Sequence, residues 1–141
     1  MTRLLDLGVA PYLISSTIIG VMAQRLVRKI CKHCEKAYEL LPEEAQAVGL
    51  ASDRSRKIVV KFGEGCPQCR GTGYLGRTGI FEVLEVNEKI RSVIRENADA
   101  ELIGRAAIAD GMIVLREAAV RKMLNGETTF DEVIRVTGEK V

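Results

Sequence analysis

Two Cys-x-x-Cys pairs constrain this chain more than any other feature of its sequence. Cys31 and Cys34 form one pair, Cys66 and Cys69 the other, 31 residues separate them, and no cysteine is left over. A two-residue gap lets both thiolates of a pair point at one ion, and two such pairs complete a tetrahedral four-sulfur shell. The spacing therefore points to a structural zinc site held by Cys31, Cys34, Cys66 and Cys69. The separation is longer than the usual 15 to 20 residues for this pattern, which argues for a small inserted lobe rather than a minimal ribbon. A catalytic zinc usually keeps three protein ligands and one open position, whereas four cysteines close the shell. The expected ion is a staple.

Three other readings stay open on the residues alone. Disulfides call for an oxidising compartment, and no signal-peptide pattern opens the sequence. Thioredoxin-like exchange uses one reactive pair at a helix start, not two equivalent pairs. Buried inert thiols have no reason to fall twice at this spacing. His33 lies inside the first pair, in C-K-H-C, and is expected to remain a solvated imidazole because four thiolates suffice. Lys29, Lys32, Lys36 and Arg70 are near enough in sequence to offset the charge of a thiolate shell. Closing such a loop costs about 3 kcal/mol plus a constant, against about 10–16 kcal/mol from structural zinc in small peptides. Metal removal is thus expected to unfold residues 31–75 while the flanking helices keep their packing.

A length of 141 residues suits one core plus a small lobe, and a net charge of +2 does not by itself suggest a nucleic-acid or membrane partner. No Trp is present, so platforms for stacking bases are sparse. Between Asp6 and Gln24 lie 17 uncharged residues, at the lower limit for a bilayer span. Gly8, Pro11, Ser15, Ser16, Thr17 and Gly20 dilute that run, and a buried helix is the better reading.

The expected architecture is mixed α+β and helix-dominated. A small four-cysteine zinc lobe with short antiparallel strands is inserted between an N-terminal helix and a C-terminal helical bundle. Residues 1–30 read as helices, the tail of a larger core; 31–75 as the zinc lobe; and 76–141 as a strand followed by helices. In detail, Thr2 to Leu7 reads as the last turns of a helix, and Pro11 opens a second that runs to about Ile30. Arg25, Arg28 and Lys29 would complement the C-terminal dipole of that second helix. Pro42 opens a short helix through Val48, and Lys57–Phe62 and Ile80–Val86 read as strands. Asn87 caps a helix bearing Ile90, Val93 and Ile94; further helices start near Asp99 and Val114. Thr129 and Glu132 have the spacing of a capping box for a last helix through Val136.

Three stretches are together more specific than the cysteines. One runs over residues 2–31 and holds Q-R-L-V-R just before the first pair. Another is C-P-Q-C-R-G-T-G-Y-L-G-R-T-G-I-F-E-V-L over 66–84, and the third is G-M-I-V-L-R-E-A-A-V-R-K-M-L-N-G-E-T-T-F-D-E-V-I-R-V-T over 111–137. In this order they resemble the C-terminal part of the secretion ATPases of type II secretion and type IV pilus assembly. The match is weakest from about Ala37 to Lys57, and Ala118-Ala119 stands where a glycine is often found in that family.

The resemblance implies a cytoplasmic homo-hexameric ATPase, peripheral at the inner membrane, that drives a membrane platform and its pilin-like subunits. It also implies that Cys31, Cys34, Cys66 and Cys69 match the family's tetracysteine zinc site. Its partners would be other ATPase subunits and inner-membrane platform proteins, with no nucleic acid. A P-loop needs G-x-x-x-x-G-K-[ST] to cradle phosphates, and no such run occurs here. The chain is therefore expected not to hydrolyse ATP alone, with ATP and Mg²⁺ belonging to a full-length parent. Opening on the tail of a helix, it is expected to be a fragment of something larger.

Arg77 and Glu82, in G-R-T-G-I-F-E, read either as an interface contact or as a strand-edge ion pair, and the ion pair is the plainer reading. Arg25 and Arg28 could reach a neighbour's nucleotide, or simply complement their own helix end. An alternative function is a free-standing zinc module binding protein or nucleic acid, since C-P-Q-C-R-G-T-G over 66–73 fits the repeat of the DnaJ-type chaperone zinc domain. Only one such repeat is present.

Overall fold

The structure, a computed structural model, describes residues 2–50, 57–96 and 99–138. In chain order they form α1 (Thr2–Asp6), α2 (Pro11–Thr17), β1 (Gly20–Ile30), β2 (Glu35–Glu39), α3 (Pro42–Ala47) and β3 (Val59–Gly63). A 3₁₀ turn over Pro67–Cys69 follows, then β4 (Tyr74–Glu85), α4 (Glu88–Glu96), α5 (Ala100–Ala109), α6 (Leu115–Leu124) and α7 (Phe130–Thr137). The fold is mixed α+β, as expected. Strand β1 pairs with β4, and β2 with β3.

One expected element is wrong. The helix read from Pro11 to Ile30 ends at Thr17, and Gly20–Ile30 is strand β1. Ile18 already has extended backbone, φ −81° and ψ 125°. The β-branched run Thr17-Ile18-Ile19, then Gly20 and Val21, disfavours helix and suits a pleated strand. Arg25, Arg28 and Lys29 consequently sit on a strand, and no helix end is there for them to complement. The strand read at Ile80–Val86 begins earlier, at Tyr74. Strand β2, Glu35–Glu39, was not foreseen in the charged stretch E-K-A-Y-E.

The chain divides into two compact units, Met1–Ala23 with Glu82–Val114, and Gln24–Phe81 with Leu115–Val141. In the first, Ile14 of α2 packs with Val86, with Ile90 and Ile94 of α4, and with Ile103 and Ala107 of α5. Asn87 accepts the Ile90 N–H through Oδ1 at 3.1 Å, the expected cap. Asp99 caps α5 by accepting from Glu101 and Leu102 at 2.7 and 3.1 Å. The Arg91 guanidinium donates to the Ser15 carbonyl, tying α4 to α2.

In the second unit β2 and β3 are antiparallel, with Glu35 opposite Gly63 and Glu39 opposite Val59. Leu40, Ala45, Val48 and Val60 pack in one cluster with Val27, Ile80, Ala119, Met123 and Val133. The apolar side chains of the 31–75 stretch therefore share a core with α6 and α7. Thr129 caps α7 by accepting the Glu132 N–H at 3.3 Å. Among the described residues no helix is long and apolar enough to cross a membrane.

Candidate metal centre

Cys31 directly follows β1 and Cys34 directly precedes β2, so one tight turn presents the first pair. Cys66 and Cys69 flank and end the 3₁₀ turn between β3 and β4. The four Sγ atoms lie within 4.8 Å of one another, and among the described residues no other group of three or more potential ligands converges so. Cys31 to Cys66 is 3.8 Å, Cys34 to Cys69 3.9 Å and Cys66 to Cys69 3.7 Å. A tetrahedral shell with metal–sulfur bonds of about 2.3 Å has sulfur–sulfur edges of about 3.8 Å. The donor set fits a tetrahedral thiolate-bound ion. These separations are far longer than a disulfide bond of about 2.05 Å, and all four cysteines are free.

The backbone around the sulfurs is arranged for thiolates. Gly65 N–H donates to Cys34 Sγ at 3.3 Å, and Cys66 and Gly73 N–H groups donate to Cys69 Sγ at 3.1 and 3.2 Å. Burial raises the Cys69 thiol, but the Cys66 and Gly73 N–H groups outweigh it and bring it down to about 6. Cys34, beside three other sulfurs, is pushed up to about 12, first by burial. Like thiols this close cannot all ionise without a cation between them. Cys31 and Cys69 are buried, Cys34 and Cys66 half-buried.

Two glycines make the turn possible. Gly63 and Gly73 pass backbone to backbone, and a Cβ on either would land on the carbonyl oxygen of the other. Gly73 also has φ +76°, which L side chains rarely adopt. Its carbonyl accepts the Cys31 N–H at 2.9 Å, so the same close approach joins the two halves of the site. Two of the four cations expected to offset thiolate charge are otherwise engaged: Lys32 pairs with Glu35 at 2.9 Å and Lys36 with Glu64 at 2.7 Å. His33 is exposed and outside the ligand group.

The other singled-out residues fall elsewhere. Arg25 is exposed on β1. Arg28 lies with its guanidinium carbon 4.0 Å from the Tyr74 ring centroid and its Nη2 2.9 Å from Glu132. Arg77 is exposed on β4, where it lines an open pocket with Leu26, Arg28 and Arg135. Glu82 is half-buried on the same strand. Sequence reasoning missed Glu132, which is fully buried and takes its hydrogen bonds from Arg28 and Arg135. It had read as half of a capping box, and that spacing concealed its long-range role.

The family described as Type II/IV secretion system protein matches residues 1–135. Over 99% of its length the chain is 39% identical to Type II secretion system protein E of Dickeya dadantii and 37% identical to Type II secretion system ATPase E of Vibrio cholerae, spanning 27% of each. It is 41% identical, again over 99% of its length, to the Type IV pilus assembly ATPase PilB of Thermus thermophilus, spanning 16% of it. The chain thus covers about a quarter or less of these relatives. With nearly every residue inside the match, it belongs to the type II/IV secretion system protein family.

Proposed function

We propose that this chain is the zinc-bearing part of a secretion or pilus-assembly ATPase and does not hydrolyse ATP by itself. The observation that carries the reading is the convergence of Cys31, Cys34, Cys66 and Cys69, with sulfur–sulfur separations suited to one tetrahedral ion. Those four residues hold a structural Zn²⁺, which cross-links the turn after β1 to the turn before β4. Nucleotide and Mg²⁺ belong to the parent protein, a cytoplasmic homo-hexamer held at the inner membrane by platform proteins. Residues 31–75 form the lobe that the ion fastens. The relatives, named for type II secretion and for type IV pilus assembly, support the class of machine without choosing between its two forms.

Elemental analysis of the purified chain tests the metal assignment. One zinc per chain is expected, with loss of metal in a Cys66→Ser, Cys69→Ser variant. A chain that purifies folded and metal-free from zinc-replete medium would overturn the assignment. ATP turnover by this chain alone, surviving repurification, would overturn the non-catalytic reading.

A further inference from the structure

Within the second unit, α3 and the start of α7 frame an open pocket of about 550 Å³ lined by Glu43, Glu44, Gln46, Ala47 and Phe130. Ala47 and the half-buried Phe130 give it an apolar floor. Leu41, 60% exposed, stands one residue before α3. The rim is acidic. Glu43 lines the pocket and Asp131 follows the lining Phe130 on α7; both are exposed and pair with no cation among the described residues. Among the described residues Glu44 accepts only the Leu41 backbone N–H, at 2.9 Å. The neighbouring guanidinium of Arg116 is turned to the Ala47 carbonyl at the end of α3. Burial first, and then the charges of Glu44 and Asp131, push the Tyr38 phenol up to about 12, which registers the same negative field.

The chemistry of this surface selects its partner class. The three carboxylates do not converge on a point, since only the cysteines bring three ligand atoms within 4.8 Å among the described residues. Charge spread in this way suits several separate cations better than one metal ion. Nucleic acid and anionic lipid would meet like charge here. An apolar floor flanked by carboxylates that pair with no cation among the described residues is the counterpart of a side-chain anchor flanked by Lys or Arg.

We propose that this pocket docks a short basic segment of a partner protein, with an aliphatic or aromatic side chain on Ala47 and Phe130 and flanking Lys or Arg side chains against Glu43, Glu44 and Asp131. The inference goes beyond the metal assignment and does not depend on it.

Calorimetric titration of the whole chain with two blocked peptides tests it: Lys-Lys-Leu-Leu-Lys-Lys, and Lys-Lys-Ser-Ser-Lys-Lys as a charge-only control. The leucine peptide is expected to bind about fivefold or more tightly than the serine peptide. A Glu43→Gln, Asp131→Asn variant with unchanged circular dichroism should weaken it about tenfold. Amide resonances of residues 43–47 and 130–131 should move on binding. The proposal is overturned if both peptides bind equally, if the variant binds as the parent does, or if the resonances move elsewhere. Absence of binding at about 1 mM peptide, weaker than any useful docking site, overturns it too. Concentration-dependent self-association abolished by the same variant would also overturn it, by making a second copy the occupant.

Discussion

Glu132 Oε2 accepts the backbone N–H of Arg28 at 2.7 Å, joining residues 104 apart in sequence. The carboxylate is fully buried and also accepts Arg28 Nε at 2.9 Å and Arg135 Nε and Nη2 at 2.8 and 2.7 Å. Beside it Thr128 donates to the Arg28 carbonyl at 2.8 Å, and Tyr74 Oη lies 2.8 Å from Thr129 Oγ1. One side chain on α7 thus fixes the backbone of β1. Removing it leaves the half-buried Arg28 N–H and two guanidinium groups without their acceptor. Glu132→Ala should cost about 3 kcal/mol in urea unfolding, and Glu132→Gln less. A loss under about 1 kcal/mol would show that the pairs behave as surface ones.

The same carboxylate gives stability a pH dependence. Burial opposes its ionisation, but Arg135 and Arg28 outweigh burial and lower it from 4.5 to about 2. A depressed folded value means the contribution is whole above the unfolded value and is lost as pH falls from about 4.5 towards 2. Glu35 and Asp110 are lowered too, each first by a lysine, so the parent curve alone does not isolate Glu132. The difference between the parent and Glu132→Gln should be flat above the unfolded value and shrink below it. Parallel curves down to pH 2 would refute the linkage.

Chelation should act locally. Leu40, Ala45, Val48 and Val60 share their core with α6 and α7, so the middle of the 31–75 stretch has support that the turns lack. Hydrogen exchange after metal removal is expected to accelerate first at 31–36 and 63–73, with smaller change at Val60. This sharpens the expectation of wholesale unfolding across 31–75. Equal loss of protection at Val60 and at Cys69 would restore it.

Gly73→Ala tests the turn itself. The added Cβ meets the Gly63 carbonyl, and φ of +76° disfavours alanine. The variant should lose about 2 kcal/mol of stability and bind zinc more weakly in a competition assay. Gly71→Ala has the same φ of +76° but open space around the new carbon, so it separates strain from collision. Equal losses in the two variants would remove collision from the account.

The convergence of the four cysteines was legible because metal chemistry writes itself into spacing, and the capped helices α4, α5 and α7 because Asn87, Asp99 and Thr129 mark their starts. Strand β1 was not legible. Its fully buried positions Val27 and Ile30 are three apart, a helical interval rather than the alternation of a half-buried strand. Glu132 was hidden for a related reason. A Glu three residues after a Thr signals a local cap, and nothing local reveals an acceptor for Arg28, 104 residues away. Strand β2 is charged at three of its five positions, Glu35, Lys36 and Glu39, and it exists because β3 pairs with it along its whole length.

The close approach of Gly63 and Gly73 has an evolutionary corollary. Each position is closed to any side chain by the other's carbonyl, so no change at one can open room for a change at the other. The ordinary route by which contacts drift, one substitution followed by a compensating partner, is shut here. Lineages that keep this turn should keep both glycines, and those that lose one should have rebuilt the connection between the cysteine pairs.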